Sequence, residues 1–167
     1  AFREAFQKSL RSLELGLDGW ESRASGRSRE ELAAALAEPR QGRLADLHEA
    51  MRRGFDAEQL HRLTGIDPWF LDNLEHLMEI EGRLRSFTLD ELPPELMWEA
   101  KREGFSDRRL ARLLQWGIGQ AEGPTPDVTV RTRASLVLAA RQALGMTPVF
   151  RRVDTCAAEF ASETPYL

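Results

Sequence analysis

The chain has 167 residues, a formal net charge of −4 and an isoelectric point of about 5.5, and this acidic balance disfavours a nucleic-acid-binding surface. No apolar run approaches the ~18 residues that a membrane-spanning helix needs. The single cysteine, Cys156, excludes an internal disulfide and is compatible with a reducing, cytoplasmic setting. We therefore expect a soluble domain that contacts neither a membrane nor a nucleic acid. Because the chain opens at Ala1 with neither Met nor a signal-peptide pattern, and no helix cap or polar tail precedes Leu167, we expect both ends to be cuts in a longer polypeptide.

The first forty residues predict two helices. Apolar residues at helical spacing indicate an amphipathic helix between Phe2 and Gly16. Ser28 and Glu31 then form a capping box, which opens a second helix that ends before Pro39. A third predicted helix leads into the most informative part of the chain.

A window of sixteen residues occurs twice, at 48–63 and at 98–113, and eight of its sixteen positions are identical. Repetition of this kind indicates a repeated structural unit. In each copy a helix is expected to end on a glycine, Gly54 or Gly104, whose left-handed conformation turns the chain into a second helix. The predicted unit is a helix–turn–helix corner. We expect both corners to bury the same set of apolar side chains: Phe55, Leu60, Leu63, Phe105, Leu110 and Leu113.

The two copies differ where their second helix begins. In the first copy Asp56 caps the helix and Gln59 completes a capping box, whereas in the second copy Ser106 is the cap and Arg109 replaces the glutamine.

Proline and glycine organise the rest of the chain. The pair at 67–68 places a cap and an N1 proline before a long central helix, and the two prolines at 93–94 open the helix that leads into the second corner. Gly and Pro predict a loop over 117–127. A last helix is expected over 129–144, and residues after Pro148 are expected to be extended.

The reactive side chains form no pattern that indicates a metal site or a nucleophile. His48, His61 and His76 contain no H-x-x-x-H pair, so we expect surface or partly buried histidines rather than zinc ligands. Cys156 has no histidine near it in sequence and reads as an inert, buried thiol. The sequence therefore predicts no metal site.

The other candidate sites also lack the pattern that a catalytic or cofactor-binding site would need. Asp154 and Glu159 could form an acid/base pair, but nothing adjacent supplies a substrate pocket, and no phosphate-binding glycine motif occurs. We predict no catalytic, cofactor-binding or metal-binding residue. Trp69 and Phe70 could anchor an interface, but an aromatic pair at a helix start is more often core, and we expect core.

A helix–turn–helix corner is compatible with two functions. It could read DNA with its second helix, or it could be a packing unit of a connector or interaction domain. In the first copy Asp56 and Glu58 outweigh Arg62, whereas phosphate binding needs a basic face. This charge favours the packing unit, and a freestanding DNA-binding or protein-interaction domain remains the alternative.

Four stretches resemble one enzyme family. Residues 148–160, which contain the run Asp-Thr-Cys-Ala-Ala-Glu-Phe, closely resemble the junction motif in the large subunit of carbamoyl phosphate synthase. Residues 5–14 look like the helix that closes that family's first synthetase half, and residues 63–71 and 101–107 look like signatures of its helical middle domain. The likeness keeps the family's order over nearly the whole chain, although the 117–127 loop is longer than usual.

The resemblance implies an all-α oligomerisation domain between two homologous ATP-grasp halves. The parent enzyme would make carbamoyl phosphate from bicarbonate, glutamine-derived ammonia and two ATP, for pyrimidine and arginine synthesis, with ATP and divalent metal ions bound in the flanking halves. Its partners would be those halves, another large subunit and a glutaminase small subunit. The family's catalytic residues match no position of this sequence.

We therefore predict an irregular domain of about eight helices with two repeated corners and an extended C-terminal segment. Residues 1–22 would belong to the end of the preceding synthetase half, residues 23–147 would form the helical oligomerisation domain, and residues 148–167 would lead into the following half. Its predicted function is that of a non-catalytic connector.

Overall fold

The fold is all α-helical, as the sequence predicts. A computed structural model describes residues 2–13, 16–22, 26–116 and 126–147. Apart from one isolated bridge between Thr88 and Gln115, these residues contain no β-structure. The described part of the chain forms eight helices: α1 Phe2–Ser12, α2 Arg29–Ala37, α3 Arg43–Arg52, α4 Ala57–Thr64, α5 Pro68–Leu84, α6 Pro94–Arg102, α7 Asp107–Leu113 and α8 Asp127–Ala143.

The predicted helix starts are confirmed at α2, α4 and α5. Both capping boxes are present, at Ser28 and at Asp56, and Asp67 caps α5 with proline in its first turn. The last helix, expected over 129–144, begins earlier because Pro126 takes the cap position and Asp127 lies in the first helical turn. The predicted loop and extended segment lie largely or wholly outside the described residues.

The two corners have the same local geometry. Gly54 and Gly104 have φ values of +79° and +91°, so both occupy the left-handed region that favours glycine. The next amide in each corner, that of Phe55 or Phe105, donates to a carbonyl five residues earlier at 3.0 Å. Both phenylalanine side chains are buried. Each turn is therefore a Schellman-type cap closed by an aromatic residue, as predicted.

The leucines of the corners are buried to different extents. Leu60, Leu110 and Leu113 lie in the core, whereas Leu63 is only partly buried. Leu63 lies in the last turn of the eight-residue helix α4, just before the chain leaves the helix at Gly65. The predicted burial is thus complete in the second corner and partial in the first.

Helix α5 is the centre of the fold. It packs against α1, α3, α4, α6 and α7, which explains why apolar residues cover more than one of its faces. Trp69 and Phe70, in its first turn, are 54% and 44% exposed, so their predicted core position is wrong. Their rings pack on each other and on Phe2 at the outer end of the bundle.

The turn glycines have different neighbours. A Cβ atom at Gly104 would lie 2.9 Å from the Cα atom of Glu4 and 3.2 Å from the Cβ atom of Gln7, both in α1. A Cβ atom at Gly54 would meet nothing within 4 Å. Gly54 is therefore required only for its backbone conformation, whereas Gly104 also lets α1 pack directly on the second turn.

These glycines provide a matched pair for mutation. We expect Gly54→Ala to lower the free energy of unfolding by about 1–2 kcal/mol, the cost of a left-handed conformation for a residue with a Cβ atom. Gly104→Ala should lower it by a further ~1–3 kcal/mol, because the backbone of α1 must move. Urea unfolding of both variants measures the difference. Equal losses would show that α1 does not depend on the missing Cβ atom.

Candidate functional site

Helix α7 carries three arginines whose acidic partners lie in three different parts of the chain. Its sequence from Asp107 is Asp-Arg-Arg-Leu-Ala-Arg-Leu, in which the leucines enter the core and Arg108, Arg109 and Arg112 extend toward acidic partners. Two of the four partners, Asp18 and Glu21, lie in the segment 16–22, which follows α1. The geometry of these contacts defines the candidate site.

Arg109 is the buried centre of the site. The residue is about 4% exposed, yet its Nη1 atom donates to Glu21 at 2.7 Å and its Nη2 atom donates to Glu81 at 2.7 Å. A guanidinium suits this position because it remains charged and its fork reaches two carboxylates at once. Arg109 therefore joins the segment after α1 to the central helix α5.

Glu81 extends the network to α3. Its Oε2 atom also lies 3.1 Å from Nε2 of His48, and Nδ1 of His48 lies 3.1 Å from the Ser22 hydroxyl. Burial raises the pKa of Glu81, but the hydrogen bond with His48 and the charge of Arg109 outweigh it, so the pKa of this carboxyl is lowered well below its usual range. Glu81 is thus held as a paired, buried carboxylate.

Glu49 supports the same network from α3. It accepts hydrogen bonds from Arg52 at 2.8 and 2.9 Å, from Arg53 at 2.6 Å and from the Ser22 hydroxyl at 3.1 Å. The hydrogen bonds from Arg52 have the largest effect among these, and together they lower the pKa of Glu49 to about 2. The pairing of Glu49 with Arg53 agrees with its spacing in the sequence.

The corresponding carboxylates of the second copy pair with other helices. Glu99 pairs with Arg83 of α5 at 2.7 Å, and Glu103 pairs with Arg3 of α1 at 2.6 Å, rather than with Arg102. Spacing along one helix favours the near neighbour, but the packing of α1 and α5 brings other arginines into reach. The charges of the second copy therefore connect helices rather than one helix to itself.

Asp18 binds the segment after α1 to the outer side of α7. Its two carboxylate oxygens accept from Nε of Arg108 and Nε of Arg112, each at 2.6 Å. The Ser106 hydroxyl donates to the Asp18 carbonyl at 2.7 Å. Burial raises the pKa of Asp18, but the hydrogen bonds from Arg112 and Arg108 outweigh it and lower the pKa overall.

Helix α8 is bound to α7 through the same residues and their neighbours. Arg108 also donates to Asp127 in the first turn of α8. Near the other end of α8, Nε of Arg141 donates to Asp107 at 3.1 Å, and Asp107 in turn accepts from Lys101 at 2.8 Å. Helix α7 therefore holds both the segment 16–22 and helix α8.

The histidines lie in different environments. His48 is buried, so its prediction as a surface or partly buried residue is wrong, because α3 and α5 enclose it. His61 is exposed and contacts the Ile66 carbonyl at 2.7 Å, while His76 lies 3.6 Å from Glu79. Within the described ranges, no group of three or more His, Cys, Asp or Glu residues could hold a metal ion. Cys156, Asp154 and Glu159 lie outside those ranges.

Sequence reasoning missed Glu81 and Arg109 as partners. One signal was present, since Leu74, Leu77, Glu81 and Leu84 follow helical spacing and place a carboxylate in an apolar stripe. A carboxylate in such a stripe needs a buried cation as its partner.

Among the described helices, none is long and apolar enough to cross a membrane.

Arg109 and Arg83 provide a test of the buried pair. We expect Arg109→Met to lower the free energy of unfolding by about 3–5 kcal/mol, because Glu81 and Glu21 would lose their buried cation. Arg83→Met removes a half-exposed arginine from its pair with Glu99 and should cost no more than ~1 kcal/mol. Urea unfolding compares the two. Similar losses of unfolding free energy in the two variants would mean that burial does not increase the contribution of the Arg109 contacts to stability.

The lowered carboxyl pKa values make stability depend on pH. A carboxylate whose pKa is lower in the folded state stabilises the fold above its unfolded pKa, and this contribution is lost as the pH falls toward the folded value. For Glu49 this window runs from about 4.5 down to about 2. The urea midpoint should fall as pH decreases from 5 toward 3, less steeply in Glu49→Gln. An unchanged slope in that variant would contradict the assignment to Glu49.

Comparison with known proteins agrees with this architecture. A family model described as the oligomerisation domain of the carbamoyl-phosphate synthetase large chain matches residues 1–124, which include α1 to α7 and both corners. The chain is 40% identical over 170 residues to the carbamoyl phosphate synthase large chain of Nostoc sp. and 39% identical over 166 residues to that of Ralstonia nicotianae. It is 36% identical over 169 residues to the arginine-specific, chloroplastic large chain of Arabidopsis thaliana.

These alignments cover 99% of this chain but only 13–14% of each relative. The chain thus corresponds to about one seventh of those proteins, and the alignments confirm the resemblance to the large chain. Because the family model matches well over half of its length, the chain belongs to the family of oligomerisation domains of the carbamoyl phosphate synthase large chain.

Proposed function

We propose that the chain is a non-catalytic connector and self-association domain within a larger carbamoyl phosphate synthase subunit. The observation that carries this proposal is the position of α7, which binds the segment 16–22 on one side and α8 on the other. A connector must fix the two parts of the chain that leave it. One short helix that holds both of them meets this requirement.

The contacts of α7 are suited to transmitting position rather than to chemistry. Asp18 and Asp107 each accept from two cations, and Arg109 is enclosed by two carboxylates. Partly and fully buried pairs of this kind have one favourable geometry, because a displaced partner leaves a charge without compensation. A shift of the incoming segment would therefore strain the contacts that hold the outgoing helix.

In this proposal the chemistry belongs to the rest of the polypeptide. The parent would be an ATP-dependent ligase that makes carbamoyl phosphate from bicarbonate and glutamine-derived ammonia, in the cytoplasm, for pyrimidine and arginine synthesis. ATP and divalent metal ions would bind in the flanking halves, and a glutaminase subunit would supply ammonia. Residues 1–22 and 148–167 would lead from and into those halves, around the helical domain 23–147. The relatives named as large chains support this arrangement.

The DNA-binding alternative has no support in the fold. In a DNA-reading corner the second helix presents basic side chains to phosphates. Here Arg108, Arg109 and Arg112 of α7 are already paired with carboxylates of the same chain. In α4, Arg62 is paired with Glu58. Neither second helix offers a free basic face, so we propose a structural role for both.

The connector role is tested in the full-length polypeptide that contains these residues. Asp18→Asn removes the charge that holds Arg108 and Arg112, and we expect it to reduce carbamoyl phosphate synthesis severalfold while the protein stays folded. Glu99→Gln, which releases only the half-exposed Arg83, is the matched control and should leave synthesis unchanged. Equal activity of both variants would contradict the transmission of position through α7.

The self-association role requires a separate measurement. Sedimentation velocity of the same full-length polypeptide should show association that increases with concentration and is weakened by charge reversals on one exposed helix face. A polypeptide that stays monomeric up to tens of micromolar, or an association state that no such reversal changes, would contradict this half of the proposal.

A further inference from the structure

An exposed aromatic cluster, formed by Phe2, Trp69 and Phe70, lies where α1 and α5 begin. The Phe2 ring centroid is 5.2 Å from that of Trp69 and 5.4 Å from that of Phe70, and the last two are 4.9 Å apart. Tilted and edge-on packing of this kind is favourable between aromatic rings. The cluster is thus a preformed apolar surface, although Trp69 and Phe70 are about half exposed.

The cluster is anchored to the interior of the fold. Phe2 stacks on Phe6 at 5.8 Å, Phe6 meets Trp20 edge-on at 5.9 Å, and Trp20 meets His48 at 4.9 Å. The indole nitrogen of Trp20 donates to the Leu44 carbonyl at 2.7 Å. A row of rings therefore runs from the surface to the buried ionic network, so a partner would find the outer rings already ordered.

Polar contacts surround one edge of the aromatic cluster. Arg3 donates to Asn73 at 3.0 Å and to Glu103 at 2.6 Å, and Nδ2 of Asn73 donates to the Trp69 carbonyl at 2.7 Å. These polar groups form hydrogen bonds with one another, so they do not depend on a binding partner for hydrogen bonding. An apolar centre beside a paired polar rim is the usual composition of a docking surface.

Trp98 is the matched comparison for the aromatic cluster. Trp98 is 45% exposed, nearly as much as Trp69, and lies outside the ring contacts that join Phe2, Trp69 and Phe70. Single exposed apolar residues are normal on protein surfaces, whereas a contiguous group indicates an interaction site. The aromatic cluster is therefore the candidate interaction site.

We propose that an apolar segment of the same polypeptide, from outside residues 1–167, covers the aromatic cluster. This inference rests on the proposed function, in which the domain is part of a longer chain, and the relatives are about seven times as long as their matched region. Phe2 lies in the first turn of α1, so chain that leads into α1 passes beside the rings. A tethered segment binds at a high effective concentration and needs little contact area.

The area of the cluster favours a tethered partner over a second copy. Two rings that are about half exposed, together with the less exposed Phe2, offer at most roughly 300 Å² of apolar surface. A stable interface between separate molecules buries about 800 Å² on each partner. The partner segment should present aliphatic or aromatic side chains and no charge at its centre, because a charge there would lose its water without finding a counter-ion.

Hydroxyl-radical footprinting of the full-length polypeptide tests this proposal. Oxidation of each tryptophan is measured by mass spectrometry and normalised to the same residue in the denatured protein. Buried Trp20 is the protected reference, and exposed Trp98 is the solvent-accessible reference. We expect Trp69 to be oxidised at least fivefold more slowly than Trp98, at every concentration down to the monomer. Oxidation at the rate of Trp98, or protection that disappears on dilution to the monomer, would overturn the proposal.

A pair of variants adds a second readout. Trp69→Ala should lower the thermal midpoint of the full-length polypeptide and raise the oxidation of the segment that covers the cluster, whereas Trp98→Ala should do neither. If neither variant exposes another segment, the tethered partner is excluded. The connector proposal can still hold in that case, because it is tested separately through Asp18 and the activity of the parent.

Discussion

The structure depends on one buried guanidinium. Arg109 compensates Glu21 and Glu81 at the same time, and each of the three side chains comes from a different part of the chain. Leucine packing alone would allow α7 to slide along α5, because apolar contacts have little directional preference. The forked hydrogen bonds fix both position and rotation. In this fold the apolar core supplies most of the stabilisation, and the ionic network determines which arrangement of helices is stabilised.

The duplicated corner shows how one local structure can serve two purposes. Both copies close a helix with a left-handed glycine and a buried phenylalanine. In the second copy, Arg109 stands where the first has the capping residue Gln59, and this single difference gives α7 its link to the central network. The first corner builds the core. The second also holds the segment 16–22 and helix α8.

Helix ends could be predicted from the sequence because their causes are local. A capping box such as Ser28 with Glu31 involves residues three apart, and a proline acts on its own turn. The partner of Glu103 could not be predicted, since Arg3 is one hundred residues away and comes near only after α1 has docked. The exposure of Trp69 was missed for a similar reason. Helical spacing describes a face but not whether another helix covers it.

The difference between the two turn glycines has a consequence for sequence variation. Position 54 needs only a residue that tolerates a left-handed backbone, and asparagine can meet that need. At position 104 the space for any side chain is already filled by the backbone of α1. The two turns would thus be under unequal constraint, because position 54 can accept another residue whereas the neighbouring helix restricts position 104 to glycine.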